Sequence, residues 1–165
     1  MSKWPEALQG EDPLISFLGL NVTAKCDFDP RCLYCNQPEV ESSVDLGGWK
    51  TIVEEVAGGG NGEGPYVYIT GGEPLTLGED LWGDDGLIGF ATERGARVNV
   101  NTNGATLAPE TALRFIKAGL GRLHISLDAA EESVHNHLSG GERFQKVLEG
   151  IYNVQLAVSY THLTL

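Results

Sequence analysis

The chain has 165 residues, of which 41% are hydrophobic; this is enough for the core of one domain and argues against disorder. Its formal net charge of -12, from 23 acidic and 11 basic residues, argues against nucleic acid or an anionic membrane surface as the main partner. No apolar stretch is long enough to cross a membrane, and the first residues lack the apolar segment of a secretory signal. We therefore expect a cytoplasmic protein.

Strand and helix patterns alternate along the chain. Short apolar runs predict strands at 16–22, 66–70, 97–101 and 122–127, and helical patterns follow from Asp45, Asp84, Pro109 and Phe144. This alternation predicts an α/β fold built from parallel βαβ units. We expect an irregular leader at 1–15, a core at 16–157, and a tail at 158–165 that has no helical pattern and looks non-native. The glycine-rich segment 58–62 precedes a strand, so it predicts a linker and not a phosphate loop.

All three cysteines lie within ten residues, at Cys26, Cys32 and Cys35. Because thiolates on short loops bind soft metals and iron-sulfur clusters, this crowding predicts a shared ligand. Three thiolates leave one position open on a zinc ion or on a cluster. A zinc site completed by His124 or His135 is one alternative, and inert thiols are another. A disulfide framework is disfavoured, since the number is odd and no secretory signal precedes it.

Glycine and polar motifs follow the other predicted strands. Gly71-Gly72-Glu73-Pro74 follows the second, Asn101-Thr102-Asn103-Gly104 the third, and Ser126-Leu127-Asp128 ends the fourth. Parallel α/β folds place their sites at the carboxyl ends of strands, and paired glycines let a backbone approach a ligand closely. The alternative is that these motifs form ordinary turns, with Asp128 capping a helix.

The cysteine loop, the Gly-Gly-Glu-Pro motif and the Ser-Leu-Asp motif, in this order over residues 16–155, resemble the radical S-adenosylmethionine (SAM) superfamily. The motif style is that of its peptide-modifying and cofactor-maturing branch. The resemblance implies four βα units of a partial six-unit barrel. It also implies a [4Fe-4S] cluster on Cys26, Cys32 and Cys35, with the fourth iron open to SAM. Reductive cleavage of SAM would give a 5′-deoxyadenosyl radical that abstracts hydrogen from an unknown substrate, a peptide or a cofactor precursor.

The same resemblance implies roles for further residues and for an electron donor such as flavodoxin or ferredoxin. The implied SAM contacts are Tyr34 beside the adenine, Gly71, Gly72 and Glu73 at the amino group, and Asn103, Ser126 and Asp128. Gly72 is expected to leave space for SAM itself.

Two departures from the family pattern stand out. The first cysteine interval has five residues where three are usual, and the arginine that pairs with the SAM carboxylate is absent after His135, with Arg143 as a candidate substitute. The alternatives to a radical enzyme are a non-catalytic module that binds zinc or an iron-sulfur cluster, and an inactive truncated fragment.

Overall fold

The computed structural model describes residues 15–37, 44–57 and 64–162. The predicted leader up to residue 14, the predicted linker at 58–62 and the last three residues of the predicted tail lie outside the described residues. No helix within the described ranges is long and apolar enough to cross a membrane.

Four parallel strands form one sheet in the order in which they occur along the chain. The strands are β1 (Phe17–Asn21), β2 (Tyr66–Thr70), β3 (Arg97–Thr102) and β4 (Arg122–Ile125). The helices are α1 (Leu46–Ala57), α2 (Glu79–Trp82), α3 (Leu87–Glu93), α4 (Pro109–Lys117), α5 (Glu132–Ser139) and α6 (Phe144–His162), and a 3-10 turn spans Pro74–Leu77. At least one helix follows every strand, so the predicted α/β fold with four βα units is confirmed.

The two faces of the sheet differ because successive side chains of a strand point in opposite directions. Val67 and Ile69 of β2 and Val100 of β3 are fully buried in the core that also contains residues of α1, α3 and α4. The opposite face carries partly exposed rings, among them Tyr68, whose ring lies edge-on to His124 of β4. Within the described ranges, the helices therefore cover one face and leave the other partly exposed.

Several boundaries differ from those predicted. Strand β4 ends at Ile125, two residues early, and α3 begins after Gly86, so Asp84 and Asp85 do not cap it. Both aspartates instead pair with lysines on neighbouring helices. Helix α6 continues to His162. The expectation of a non-helical chain from residue 158 onward is therefore wrong for residues 158–162. The short helices α2 and α5 were not predicted.

Candidate functional site

A cavity lies where the carboxyl ends of the parallel strands meet the cysteine loop. Parallel strands all end at the same edge of a sheet, so residues far apart in sequence converge there. The residues that line the cavity are Cys26, Phe28, Arg31, Cys32, Tyr34, Cys35, Asn36, Gln37, Thr70, Gly71, Gly72, Asn101, Thr102, Asn103, Ser126, Asp128 and His135. Every site residue predicted from the sequence except Glu73 is among them.

The three cysteines are free thiols that face this one cavity. Burial raises the pKa of the Cys26 and Cys32 thiols, so binding a metal centre there would displace protons. In the part of the chain that the structure describes, no three His, Cys, Asp or Glu side chains are grouped closely enough to hold a single metal ion. A cluster distributes its thiolates over separate irons, whereas a zinc ion gathers them on one atom.

The Gly71-Gly72 pair packs against the chain that leads into the cysteine loop. Gly72 N donates to Thr23 O at 2.7 Å, and Glu73 N donates to Lys25 O at 2.7 Å. A Cβ added at Gly72 would lie only 2.0 Å from Lys25 O. Gly71 has a φ of +143°, which few L-residues adopt. The space that Gly72 leaves is therefore filled by backbone, which corrects the expectation that it is reserved for SAM.

Glu73 lies below the cavity and not in its wall. Its side chain is 0% exposed, and Oε1 accepts hydrogen bonds from Thr102 Oγ1 at 2.7 Å and Leu75 N at 2.9 Å. Oε2 accepts from Asn103 N at 2.7 Å. Burial raises the pKa of Glu73, although these three donors act in the opposite direction. The carboxylate ties the end of β2 to the end of β3, and this geometry supports a positioning role in place of the expected contact with SAM.

Two side-chain hydrogen bonds connect the cysteine loop with the ends of β3 and β4. Asn103 Nδ2 donates to Asp27 Oδ1 at 2.7 Å, and Tyr34 Oη donates to Asp128 Oδ1 at 2.7 Å. Burial, followed by the hydrogen bond to Asp128, raises the pKa of Tyr34. These bonds fix the loop over the strand ends, as a site for a bound ligand requires.

The lengthened first interval of the cysteine loop contributes Arg31 to the cavity wall. Arg31 Nη2 donates to Ala24 O at 2.9 Å and Nη1 to Gln37 O at 3.2 Å, so the guanidinium holds the two ends of the loop together. No signal of motif or spacing singled this residue out. Among the described residues it is the one lysine or arginine that lines the cavity.

Arg143 lies outside the cavity wall. Its guanidinium donates to Pro30 O at 2.7 Å and to Ser139 O, and it stacks on the Phe28 ring at 3.8 Å. These contacts clamp the cysteine loop to the corner between α5 and α6. The suggestion that Arg143 replaces the missing arginine at SAM is therefore not supported.

The two candidate histidines occupy different environments. His124 is exposed and does not line the cavity, whereas His135 is 1% exposed and does. Asp128 N donates to His135 Nδ1 at 3.2 Å, and the His135 ring packs edge-on against Phe144. His124 therefore lies apart from the cysteines.

Residues 20–164 match the profile of the radical SAM superfamily. The chain belongs to that superfamily. Among its radical SAM relatives, the AdoMet-dependent heme synthase of Methanosarcina barkeri is 33% identical over 136 residues, covering 79% of this chain and 36% of the relative. The GTP 3',8-cyclase 2 of Pseudomonas aeruginosa is 30% identical over 147 residues, covering 83% of this chain and 40% of the relative.

The radical SAM fold is also seen in solved structures. Native anSMEcpe with bound AdoMet, another name for SAM, superposes with a TM-score of 0.71 at 19% sequence identity, covering 87% of this chain and 41% of that one. The four βα units here therefore form part of a TIM-like barrel, as the sequence predicted. The chain spans less than half the length of each of these relatives. Radical SAM enzymes use a [4Fe-4S] cluster and SAM.

Proposed function

We propose that this chain holds a [4Fe-4S] cluster on Cys26, Cys32 and Cys35, binds SAM in the adjoining cavity, and cleaves SAM reductively. The observation that carries the proposal is that all three free thiols face one cavity at the carboxyl ends of the strands. Membership of the radical SAM superfamily supports it independently.

The residues present fit such a cluster. Soft thiolates are the ligands that iron-sulfur clusters take, and three of them leave one iron to another donor. The thiols belong to a loop held by backbone hydrogen bonds at Thr23 and Lys25 and by the Arg143 clamp. A site whose ligands are positioned by such outer contacts retains its metal centre better.

The chain's own groups have separable tasks in the proposed reaction. The cavity wall offers polar groups of Asn101, Ser126 and Asp128 to the amino acid and ribose portions of SAM. The exposed ring of Tyr34 offers an apolar surface to the adenine. Glu73 does not touch the ligand but fixes the strand ends from which these groups project.

When bound, the cluster supplies the electron that cleaves SAM to methionine and a 5′-deoxyadenosyl radical, which takes a hydrogen atom from the substrate. We propose a flavodoxin or ferredoxin as the source of that electron. The substrate class that we propose is a cofactor precursor or a peptide. The curated relatives named as a heme synthase and a GTP cyclase support the first of these.

Anaerobic reconstitution tests the proposal. We expect about four irons and four sulfides per chain, with SAM binding and formation of 5′-deoxyadenosine on reduction. Replacing any one of the three cysteines with alanine should abolish the cluster absorbance. Ser159→Ala, a change of similar size on the exposed side of α6, is the matched control and should leave it intact.

Stoichiometric zinc without sulfide would falsify the proposal in favour of a metal-binding module. A cluster that forms but neither binds nor cleaves SAM would favour the non-catalytic iron-sulfur module.

A further inference from the structure

The sheet face opposite the core carries a row of polar side chains beside the cavity. Tyr68, Asn99 and Arg122 are paired directly across β2, β3 and β4, so they lie side by side on this face. Thr70 and Asn101, two residues further along β2 and β3, belong to the same face and line the cavity. The row therefore lies about 7 Å from the cavity wall, which is the rise of two strand residues.

Two side chains of this row have no partner among the described residues. Asn99 is 8% exposed, yet its side-chain amide makes no hydrogen bond in that part of the chain. Arg122 is exposed, and its guanidinium makes neither an ion pair nor a hydrogen bond there. By contrast, Arg94 and Arg114 each pair with a glutamate. Because a buried amide without a partner costs free energy, the row offers donors that a ligand could satisfy.

The charge of this face differs from that of the whole chain. The formal net charge is -12, but no aspartate or glutamate occupies the strand positions that alternate with the buried valines and isoleucine. Those positions include Arg97 and Arg122, and the Arg97 guanidinium lies over the Tyr66 ring at 4.0 Å. The face is therefore a locally positive surface on an acidic protein, and such a surface favours an anionic ligand.

The groups in the row match a carboxylate better than a phosphate. One guanidinium and one amide N–H can serve the two oxygens of a planar carboxylate. A phosphate group carries nearly two negative charges and is commonly held at a helix N-terminus, which a row of strand residues does not provide. The rings of Tyr68 and His124, with centroids 5.8 Å apart, add apolar surface beside the two donors.

We propose that Arg122 and Asn99 bind a carboxylate of the substrate, while the Tyr68 ring packs against the part of the substrate next to that carboxylate. This inference deepens the proposed function and rests on it, since it names the class of substrate that the radical attacks. The row is separate from the place proposed for SAM. The reacting carbon of the substrate must therefore lie at least about 7 Å from its carboxylate, the distance from the row to the cavity wall.

Benzoate is the probe for this site, with benzamide as its neutral counterpart and phenyl phosphate as the alternative anion. Each is titrated into isotopically labelled, reconstituted holoprotein with and without saturating SAM, and the side-chain N–H signals of Arg122 and Asn99 are followed by NMR. Arg122→Gln removes the guanidinium from an exposed position. Asn99→Asp keeps the shape of the side chain but supplies a carboxylate that would pair with Arg122 itself. Arg114→Gln, at an exposed position of α4, is the matched control.

We expect benzoate to shift both signals whether or not SAM is bound, and benzamide to shift them little. Arg122→Gln should raise the dissociation constant of benzoate by about 10- to 100-fold, and Asn99→Asp by at least as much. Arg114→Gln should leave it within about twofold of the parent.

Unchanged benzoate binding in Arg122→Gln overturns the inference, and this exposed substitution decides the matter if Asn99→Asp does not fold. Displacement of benzoate by SAM also overturns it, because the two would then share one place. Tighter binding of phenyl phosphate than of benzoate overturns the assignment of a carboxylate. A holoprotein that binds benzoate in this row but forms no 5′-deoxyadenosine overturns the proposed function, and with it the substrate role but not the anion site.

Discussion

Gly72→Ala tests whether the glycine motif serves the cysteine loop. The added methyl carbon would lie 2.0 Å from Lys25 O, 2.6 Å from Lys25 C and 2.8 Å from Ala24 O, all of them backbone atoms. Contacts under 3.0 Å cannot be relieved by a side-chain rotation here, so the chain before Cys26 must move. That movement breaks the hydrogen bonds from Gly72 N to Thr23 O and from Glu73 N to Lys25 O.

The size of the effect follows from these contacts. Two neutral hydrogen bonds contribute roughly 1 to 3 kcal/mol and overpacking costs about 1 to 3 kcal/mol, so we expect a loss of about 2 to 6 kcal/mol. This is a large share of the roughly 5 to 15 kcal/mol that stabilises an ordinary domain. Urea unfolding of the apoprotein followed by circular dichroism measures the loss, and iron analysis after reconstitution should show that cluster content falls with it.

Gly89→Ala is the matched control. Gly89 lies within α3, and apart from its chain neighbours and the backbone of its own helix no atom lies within 4 Å of a Cβ added there. Removing a helix-interior glycine should raise the free energy of unfolding by about 0.5 to 1 kcal/mol. The reasoning fails if the free energy of unfolding of Gly72→Ala lies within about 0.5 kcal/mol of that of the parent and the variant retains all its iron. A difference of that size is roughly the scatter of neutral surface substitutions.

Three further changes probe the network around the cavity. Thr102→Val removes the hydroxyl donor to the buried Glu73 carboxylate and should lower the free energy of unfolding by about 1.5 to 3 kcal/mol, whereas Thr102→Ser should lose much less; equal losses in urea would contradict this. Burial raises the pKa of Glu73 in the folded protein. The stability that this carboxyl group contributes is therefore fully present below the ordinary glutamate pKa and declines as the pH rises through the folded pKa. The stability difference between parent and Glu73→Gln should decline over the same window, and a difference that grows with pH would show the sign to be wrong. Arg143→Lys removes the planar fork at Pro30 and should speed iron release to a chelator, whereas Lys146→Arg in α6, the helix that begins directly after Arg143, should not; identical release rates would rule out a clamp.

The order of strands and helices could be predicted from the sequence because it depends on local patterns. Val67 and Ile69 alternate with partly exposed neighbours, and Pro109 marks the start of α4, so both elements were predicted nearly to the residue. Helix α5 was missed because Glu132–Ser139 contains few apolar residues and no capping side chain bonds its first turn. Its one fully buried ring is His135, which no apolar periodicity reveals.

Part of the candidate site could also be predicted from local sequence patterns. The cysteines and the motifs at the strand ends stand out in sequence, and the parallel topology brings them together. Their mutual contacts do not stand out, since Asp27 and Asn103 are 76 residues apart and Tyr34 and Asp128 are 94 apart. For the same reason Glu73 looked like a ligand contact: its motif was visible, but the donors from β3 that occupy its carboxylate were not.

The Arg143 clamp also constrains when the cysteine loop can take its final form during synthesis. Pro30 and Arg143 are 113 residues apart, so the loop emerges from the ribosome well before the residue that holds it. At about 5 to 20 residues per second, that interval is about 6 to 23 s. Throughout it the three thiols belong to a chain without its clamp, open to oxidants and to adventitious zinc. Under the proposed function, we therefore expect the cluster to be loaded only after the start of α6 has been made, with the nascent thiols protected until then.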